Sequence, residues 1–314
     1  MVKRLVLAKA PISVKRRFLY EHWAWLQAQM QTRRNDIVLS LDISKFSTGY
    51  TLLHFVTVKG KKEIVIVESG VIKGSDSNSP IENAKIFQDK IIELCEEYHP
   101  QIVGYEAISV AENFTGLKAL AINQGVLLSS LGRVKDLNPI VVPVQNTYGK
   151  KLATSQGKSP YKNGWPAEYK TKKDAEKARV GIGVQERFDI TFDSHDTTDA
   201  FLVGVISWFV SELARNKDYV LLSNSIDKDN VDDKVLSKLF KLKSEVFLNS
   251  LNLSFKKEVQ EELLSIGLSI LTSSVLMKEN SPNDYKKTFQ KIRTLFGYNA
   301  TGGPSLEDSE DSDT

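Results

Sequence analysis

The chain has 314 residues, with 42 Lys and Arg against 39 Asp and Glu, a net charge of +3, and 41% apolar and 26% charged residues. Such a chain can bury one large core or two modest ones, and its composition is that of an ordinary soluble globular protein. No apolar run reaches the ~20 residues of a membrane span; the longest, Ala200 to Val210, reads as a buried helix. Cys95 is the single cysteine, which excludes an intrachain disulfide and fits a reducing compartment. A secretory signal is excluded because Lys3, Arg4 and Lys9 interrupt the first ten residues.

Residues 1–35 form a basic arm in which Phe18, Leu19, His22, Trp23, Leu26 and Met30 recur at helical spacing over 13–32. This stretch reads equally as a docked helix or a DNA-contacting arm; Trp23 and Trp25 read as packing residues. From Asp36 the period changes to two, predicting strands over 36–42, 49–57 and 63–72 with a hairpin connection through Lys59-Gly60-Lys61. A helix is expected over 81–98, stopped by His99-Pro100. A strand at 101–106, a helix at 114–132 and a strand at 139–144 follow. Gly149, Gly157, Pro160, Gly164 and Pro166 mark 149–170 as a loop or lid. Helices are expected at 171–187 and 194–214. Three strands before the first long helix, then alternation, predict an α/β domain over 36–215 with a mixed sheet flanked by helices. Beyond a polar linker, helical stripes over 231–252, 256–277 and 283–296 make 216–300 a helical C-terminal region, and 301–314 an acidic, disordered tail.

Positive charge is clustered. Residues 1–35 carry eight Lys or Arg, among them Arg16 and Arg17, against Glu21 alone. The stretch 149–179 carries Lys150, Lys151, Lys158, Lys162, Lys170, Lys172, Lys173, Lys177 and Arg179. Clusters of this kind in a balanced chain point to a polyanion such as DNA.

The acids are the more telling feature. Asp42 ends the run Ile37-Val38-Leu39-Ser40-Leu41, and Glu106 ends Ile102-Val103-Gly104-Tyr105. Unpaired charge at the end of a buried strand is costly and asks for positive compensation. Asp196 and Asp199, at i and i+3, share one face in the first turn of an apolar helix. Asp193, just before that helix, reads as a helix-start residue, and so does His195. If the two strands are neighbours and the helix lies against them, the four carboxylates form an oxygen-donor cluster suited to two Mg²⁺ or Mn²⁺ ions. His22, His54 and His99 show no zinc-like spacing.

These segments resemble the RuvC-type Holliday-junction resolvases of the RNase H-like superfamily. Asp42 with Thr48-Gly49-Tyr50 is similar to the family's first motif, although Ile43-Ser44 stands where a Pro-Gly is common. Glu106, Asn113, Leu120 and Gly125-Val126 match the second motif without a gap, and Asp196-Thr197-Thr198-Asp199-Ala200 resembles the closing one. Lys150 with Gly157 resembles the basic motif, with Lys172 or Lys173 as its second lysine.

The resemblance covers about 36–212. It implies an RNase H-like five-stranded mixed sheet and a crossover junction endodeoxyribonuclease that nicks four-way DNA junctions symmetrically as a homodimer. Two Mg²⁺ ions, replaceable by Mn²⁺, would be held by Asp42, Glu106, Asp196 and Asp199, with Lys150 also catalytic. DNA would be bound by Lys150, Lys151, Lys158, Lys172, Lys173, Arg16 and Arg17. The helix 114–132, with Leu117, Leu120, Ile122, Val126, Leu127 and Leu131, is the expected dimer surface, with core packing as its equal alternative. Ser109 stands where relatives can carry a junction-wedging aromatic, for which Phe114 is the substitute. A helicase or recombination protein is a further partner, and the setting is cytoplasmic and DNA-associated, or the mitochondrial matrix if the N-terminus is a transit sequence. Three rivals stay open: an RNase H-like nuclease for other branched DNA or RNA–DNA hybrids, an actin/hexokinase-like ATPase, and a non-catalytic junction-binding protein.

Overall fold

The computed structural model describes residues 37–107, 114–157, 160–161, 164–215 and 244–276. Its centre is the apolar strand β1 (Ile37–Asp42). β1 pairs antiparallel with β2 (Ser47–Val58) and parallel with β4 (Ile102–Glu106). β3 (Lys61–Lys73) continues the sheet beyond β2, and β5 (Ile140–Val144) lies parallel to β4. The order is β3-β2-β1-β4-β5, a mixed five-stranded sheet. β2 and β3 turn through Lys59 at φ 50° and Gly60 at φ 81°. Two consecutive left-handed residues are what a tight two-residue hairpin requires, and glycine supplies the second without strain.

Helix α1 (Pro80–Tyr98) opens with a capping box between Ser79 and Glu82 and ends on His99 in the left-handed region. With α2 (Phe114–Leu131) it covers one face of the sheet, where Leu39, Leu41, Val103, Phe87, Ile91 and Leu94 share a core. Leu127 and Leu131 of α2 are buried in that core, whereas Ile122 and Leu128 are exposed. The apolar stripe of α2 is therefore split between inner and outer faces.

The opposite face is covered by α5 (His195–Arg215), which lies across β1, β2 and β4. Every side chain from Ala200 to Val210 is buried, because sheet and helices surround that helix. Small residues line the contact. A Cβ on Gly104 would stand 2.2 Å from Ser207 Oγ, and one on Gly204 2.6 Å from Ser40 Oγ. Ser40 satisfies its own hydroxyl with Thr51 Oγ1 at 2.7 Å. Trp208 stacks on Phe55 with ring centroids 4.1 Å apart.

The region expected as a loop begins as a helix, α3 (Asn146–Thr154). Gly149 does not break it: the residue is buried, on the side of α3 that faces Leu202 of α5. Helix α4 (Lys172–Phe188) is capped by the Thr171 hydroxyl, which accepts from Asp174 N. After helical residues 244–251 comes α6 (Lys257–Leu276), which packs on α5. Phe247, Leu253, Val259, Leu263 and Ile266 join Phe209 and Leu213 in one core. The same segment reaches the edge of the sheet, where Lys62 N donates to Asn252 O at 2.8 Å and accepts through its carbonyl from Ser254 N at 3.0 Å. The basic arm, the part of the helix expected over 231–252 that precedes residue 244, the helix expected over 283–296, and the acidic tail lie outside the described residues. Among the described residues no helix is long and apolar enough to cross a membrane.

At Gly49 a Cβ would sit 2.1 Å from the backbone oxygen of Asp196, so the start of α5 rests directly on β2 there. Gly49→Ala is expected to cost about 1–3 kcal/mol, as overpacking in a close contact does. Gly125→Ala, where a Cβ meets nothing within 4 Å on an exposed turn of α2, is expected to gain up to ~1 kcal/mol from helix propensity. Urea unfolding of the two variants beside the parent measures both signs.

Candidate active site

β1 and β4 run parallel in register, Leu41 beside Tyr105, so their last residues Asp42 and Glu106 emerge side by side at the carboxyl edge of the sheet. That edge is where open α/β sheets bind their ligands. The side chains of Asp42 and Glu106 share a hydrogen bond. The contact at Gly49 brings the first turn of α5 to the same edge. There Ser194 Oγ accepts from Asp196 N at 3.2 Å and acts as the cap, a role Asp193 does not take. Asp196 and Asp199 both act electrostatically on Asp42. Four acids from three distant segments thus converge.

The effect of this crowding is seen at Asp42 and Asp199. Burial, the shared hydrogen bond with Glu106 and the charges of Glu106, Asp199 and Asp196 push the Asp42 carboxyl far above the ordinary carboxylate range. Asp199 is pushed up to about 7 by burial and the Glu106 charge, with Lys150 and Lys177 pulling the other way.

Neutral donors orient the remaining oxygens. Asn146, the first residue of α3, donates from Nδ2 to Glu106 Oε1 at 2.9 Å. Ser47, the first residue of β2, donates from Oγ to Asp196 Oδ2 at 2.6 Å. Lys177 Nζ lies 3.7 Å from the other oxygen of Asp196. Beside the acids a cleft of about 130 Å³ is lined by Asn146, Lys150, Lys173, Lys177, His195 and Asp199 among others.

Among the basic residues expected from sequence, Lys150 and Lys173 line this cleft. Lys172 is exposed at the start of α4. Lys151 points elsewhere, 3.5 Å from Ser265 Oγ of α6, since successive residues on a helix diverge by about 100°. Lys158, Arg16, Arg17, Ser109 and Asn113 lie outside the described residues, and Phe114 is the first residue of α2. The motifs did not bring out Lys177, Asn146 or Ser47. The rank of Lys177 in α4, one turn after Lys173, was the available signal for it.

The donor set is all oxygen, which suits a hard divalent cation such as Mg²⁺ or Mn²⁺ rather than zinc. A buried cluster of like charges held up by protons is the electrostatic situation such a cation relieves. As the side chains stand, no group of three or more His, Cys, Asp or Glu among the described residues is arranged to hold a metal ion. Asp42 and Glu106 are turned to each other, and Asp196 to Ser47 and Lys177. The glycine after β1 that a phosphate-binding loop would need is Gly49, and it is taken up by the contact with α5.

The strand order, with an acid ending each of two adjacent central parallel strands and a long helix laid across them, defines the architecture. The fold is the mixed five-stranded sheet flanked by helices that the sequence led us to expect. It is similar to RuvC of Thermus thermophilus, with 14% identity and a TM-score of 0.41 over 54% of this chain and 91% of that one. It is similar also to T. thermophilus RuvC in complex with a Holliday junction substrate, at 12% identity and a TM-score of 0.40 over 54% and 90% of the two chains. The yeast mitochondrial Holliday junction resolvase Ydc2 matches at 13% identity and a TM-score of 0.38, over 62% and 94%. No family model matches the sequence, and no curated protein does.

The raised carboxyls give a defined pH dependence. For Asp42 and Asp199 the folded chain retains a proton that the unfolded chain releases near the ordinary value of about 4. Their stabilising contribution is therefore complete at low pH and is lost as pH rises, through about 7 for Asp199 and beyond it for Asp42. In EDTA the thermal midpoint should fall between pH 5 and pH 8. Asp42→Asn, which is neutral without taking up a proton on folding, should raise the midpoint at pH 8 and flatten the slope; calorimetric melts at the two pH values measure this.

Proposed function

We propose that the chain is a metal-dependent, structure-selective endodeoxyribonuclease that resolves four-way DNA junctions by paired symmetric nicks. The observation that supports this most is the convergence of Asp42, Glu106, Asp196 and Asp199 at the carboxyl edge of the sheet, beside a cleft bearing Lys150, Lys173 and Lys177. In this reading the four carboxylates hold two Mg²⁺ ions, or Mn²⁺ in their place. Bound there, the ions supply an activated water and stabilise the departing 3′ oxygen.

The chain's own groups do the rest. Asn146 fixes the Glu106 carboxylate and Ser47 that of Asp196, so their oxygens are oriented before substrate arrives. Lys150 and Lys173 face the cleft, where ammonium groups neutralise the scissile phosphate and the charge it develops. Lys177 is held against Asp196 and keeps positive charge at the mouth of the acid cluster. Phosphate contacts position the backbone and give steep salt dependence, so recognition is by junction shape more than by base sequence.

A junction with two-fold symmetry is matched by a two-fold dimer. The exposed Ile122 and Leu128 of α2 offer an apolar patch on the face opposite α5, which would leave the acid edge of each copy open.

The test is a labelled synthetic four-way junction, with matched duplex, flap and RNA–DNA hybrid controls, with and without Mg²⁺. The expected result is symmetric nicking of the junction that requires the metal. Asp42→Asn should slow it by about 10²–10³-fold, the loss that follows removing one group from a preorganised charge-stabilising site. Cleavage of the flap or hybrid instead would keep the nuclease and replace its substrate. Tight junction binding with no cleavage in Mg²⁺ or Mn²⁺ would leave a DNA-binding protein.

A further inference from the structure

The loop joining β1 to β2 leaves the sheet after the first acid, Asp42, and returns the chain to it at Ser47. It is closed on itself: Ser44 Oγ donates to Ser47 O at 2.6 Å and accepts from Ser47 N at 3.0 Å. From outside it is held by α2, where Asn123 Nδ2 donates to the Ser44 carbonyl at 2.7 Å across 79 positions of sequence. The far end of the loop holds the third acid through Ser47 Oγ on Asp196 Oδ2. The next residue of α2, Gln124, donates from Nε2 to the Glu106 carbonyl at 3.0 Å.

One helix therefore reaches the backbone beside both strand-end acids, and through one loop it reaches Asp196 as well. All of these contacts are neutral amides or hydroxyls. A neutral donor fixes the direction of a carboxylate and leaves its charge to a cation, whereas a Lys or Arg in its place would compete with the cation for that charge.

Resting on the metal reading above, we infer that Ser47 and Asn123 are positioning residues for the cation site. Ser47 sets the Asp196 carboxylate, and Asn123 sets Ser47 by anchoring the Ser44–Ser47 loop to α2. Neither touches substrate or reacting atoms. Their effect is on how well the acids are arranged before the cation arrives, so it is read in cation affinity as well as in turnover.

The experiment is equilibrium Mn²⁺ binding to the full chain, followed by the electron paramagnetic resonance signal of free Mn²⁺, for the parent, Ser47→Ala, Ser47→Thr and Asn123→Ala. Loss of an outer-shell partner weakens metal sites by about 10–100-fold, and that is the weakening expected for Ser47→Ala and Asn123→Ala. Ser47→Thr keeps the hydroxyl donor and should bind as the parent does. Circular dichroism melts identify a variant that has failed to fold; should Asn123→Ala be one, the Ser47 pair decides.

Parent-like Mn²⁺ affinity in Ser47→Ala, or equal weakening in Ser47→Thr, overturns the role of Ser47. A folded Asn123→Ala with parent-like affinity overturns the link to α2. A parent chain that binds no Mn²⁺ overturns the metal reading, and the inference with it, a result distinct from the other three.

Discussion

The close approach of α5 to the sheet governs everything else in this fold. Ser40 and Gly104 on the strands meet Gly204 and Ser207 on the helix, and Gly49 meets the backbone of Asp196. Where two surfaces present only small residues, helix and sheet backbones come closer than side chains of ordinary size allow. Two consequences follow. The buried face from Ala200 to Val210 can seal the core, and the first turn of the helix is carried over the carboxyl edge of the sheet. The seam is thus a structural device and a functional one: thicken it, and Asp196 and Asp199 move away from Asp42 and Glu106.

What the seam brings together is unfavourable by itself. Four carboxyls meet, with lysines close enough to relieve the charge only in part, and Asp42 and Asp199 respond by holding protons well above the usual range. Proteins avoid such clusters unless a bound charge completes them. The remainder of the molecule supplies the stability that this edge does not. Trp208 stacked on Phe55, the capping box of α1 and the apolar α5–α6 core all lie away from the acids.

The elements of the sheet could be read from sequence because their β-branched runs are long enough to be unambiguous, and β1 and β4 each end on an acid, which strands do not otherwise favour. Asp42 and Glu106 stood out for that reason, and Asp196 with Asp199 through their helical spacing. Helix α3 was hidden because Gly149 and the prolines that follow it look like loop punctuation, when the glycine in fact lies buried within the helix. That one misreading also concealed the divergence of Lys150 from Lys151, which only a helix imposes. Ser47, Asn123 and Asn146 could not have been found. A neutral polar residue carries no periodic signal, and its partner is fixed by register between segments as far apart as 149 residues for Ser47 and Asp196.

The site shows two chemistries of support kept apart. Residues that fix direction are uncharged: Ser47 on Asp196, Asn146 on Glu106, Asn123 and Gln124 on the backbone beside the acids. The cleft's positive charge comes from α3 and α4: Lys150, Lys173 and Lys177 line it, and Lys177 alone also lies within 4 Å of one of the four acids, Asp196. A charged group held rigidly on an acid would satisfy it and close it to a cation; a hydroxyl or amide orients it and leaves it unsatisfied. Lysines set across a cleft from that acid edge are placed for a ligand that is itself anionic. Under the proposed function such a ligand would enter between the two sets, with its own charge toward the lysines and, through a cation, toward the acids. A phosphodiester meets both conditions, and a neutral substrate would meet neither.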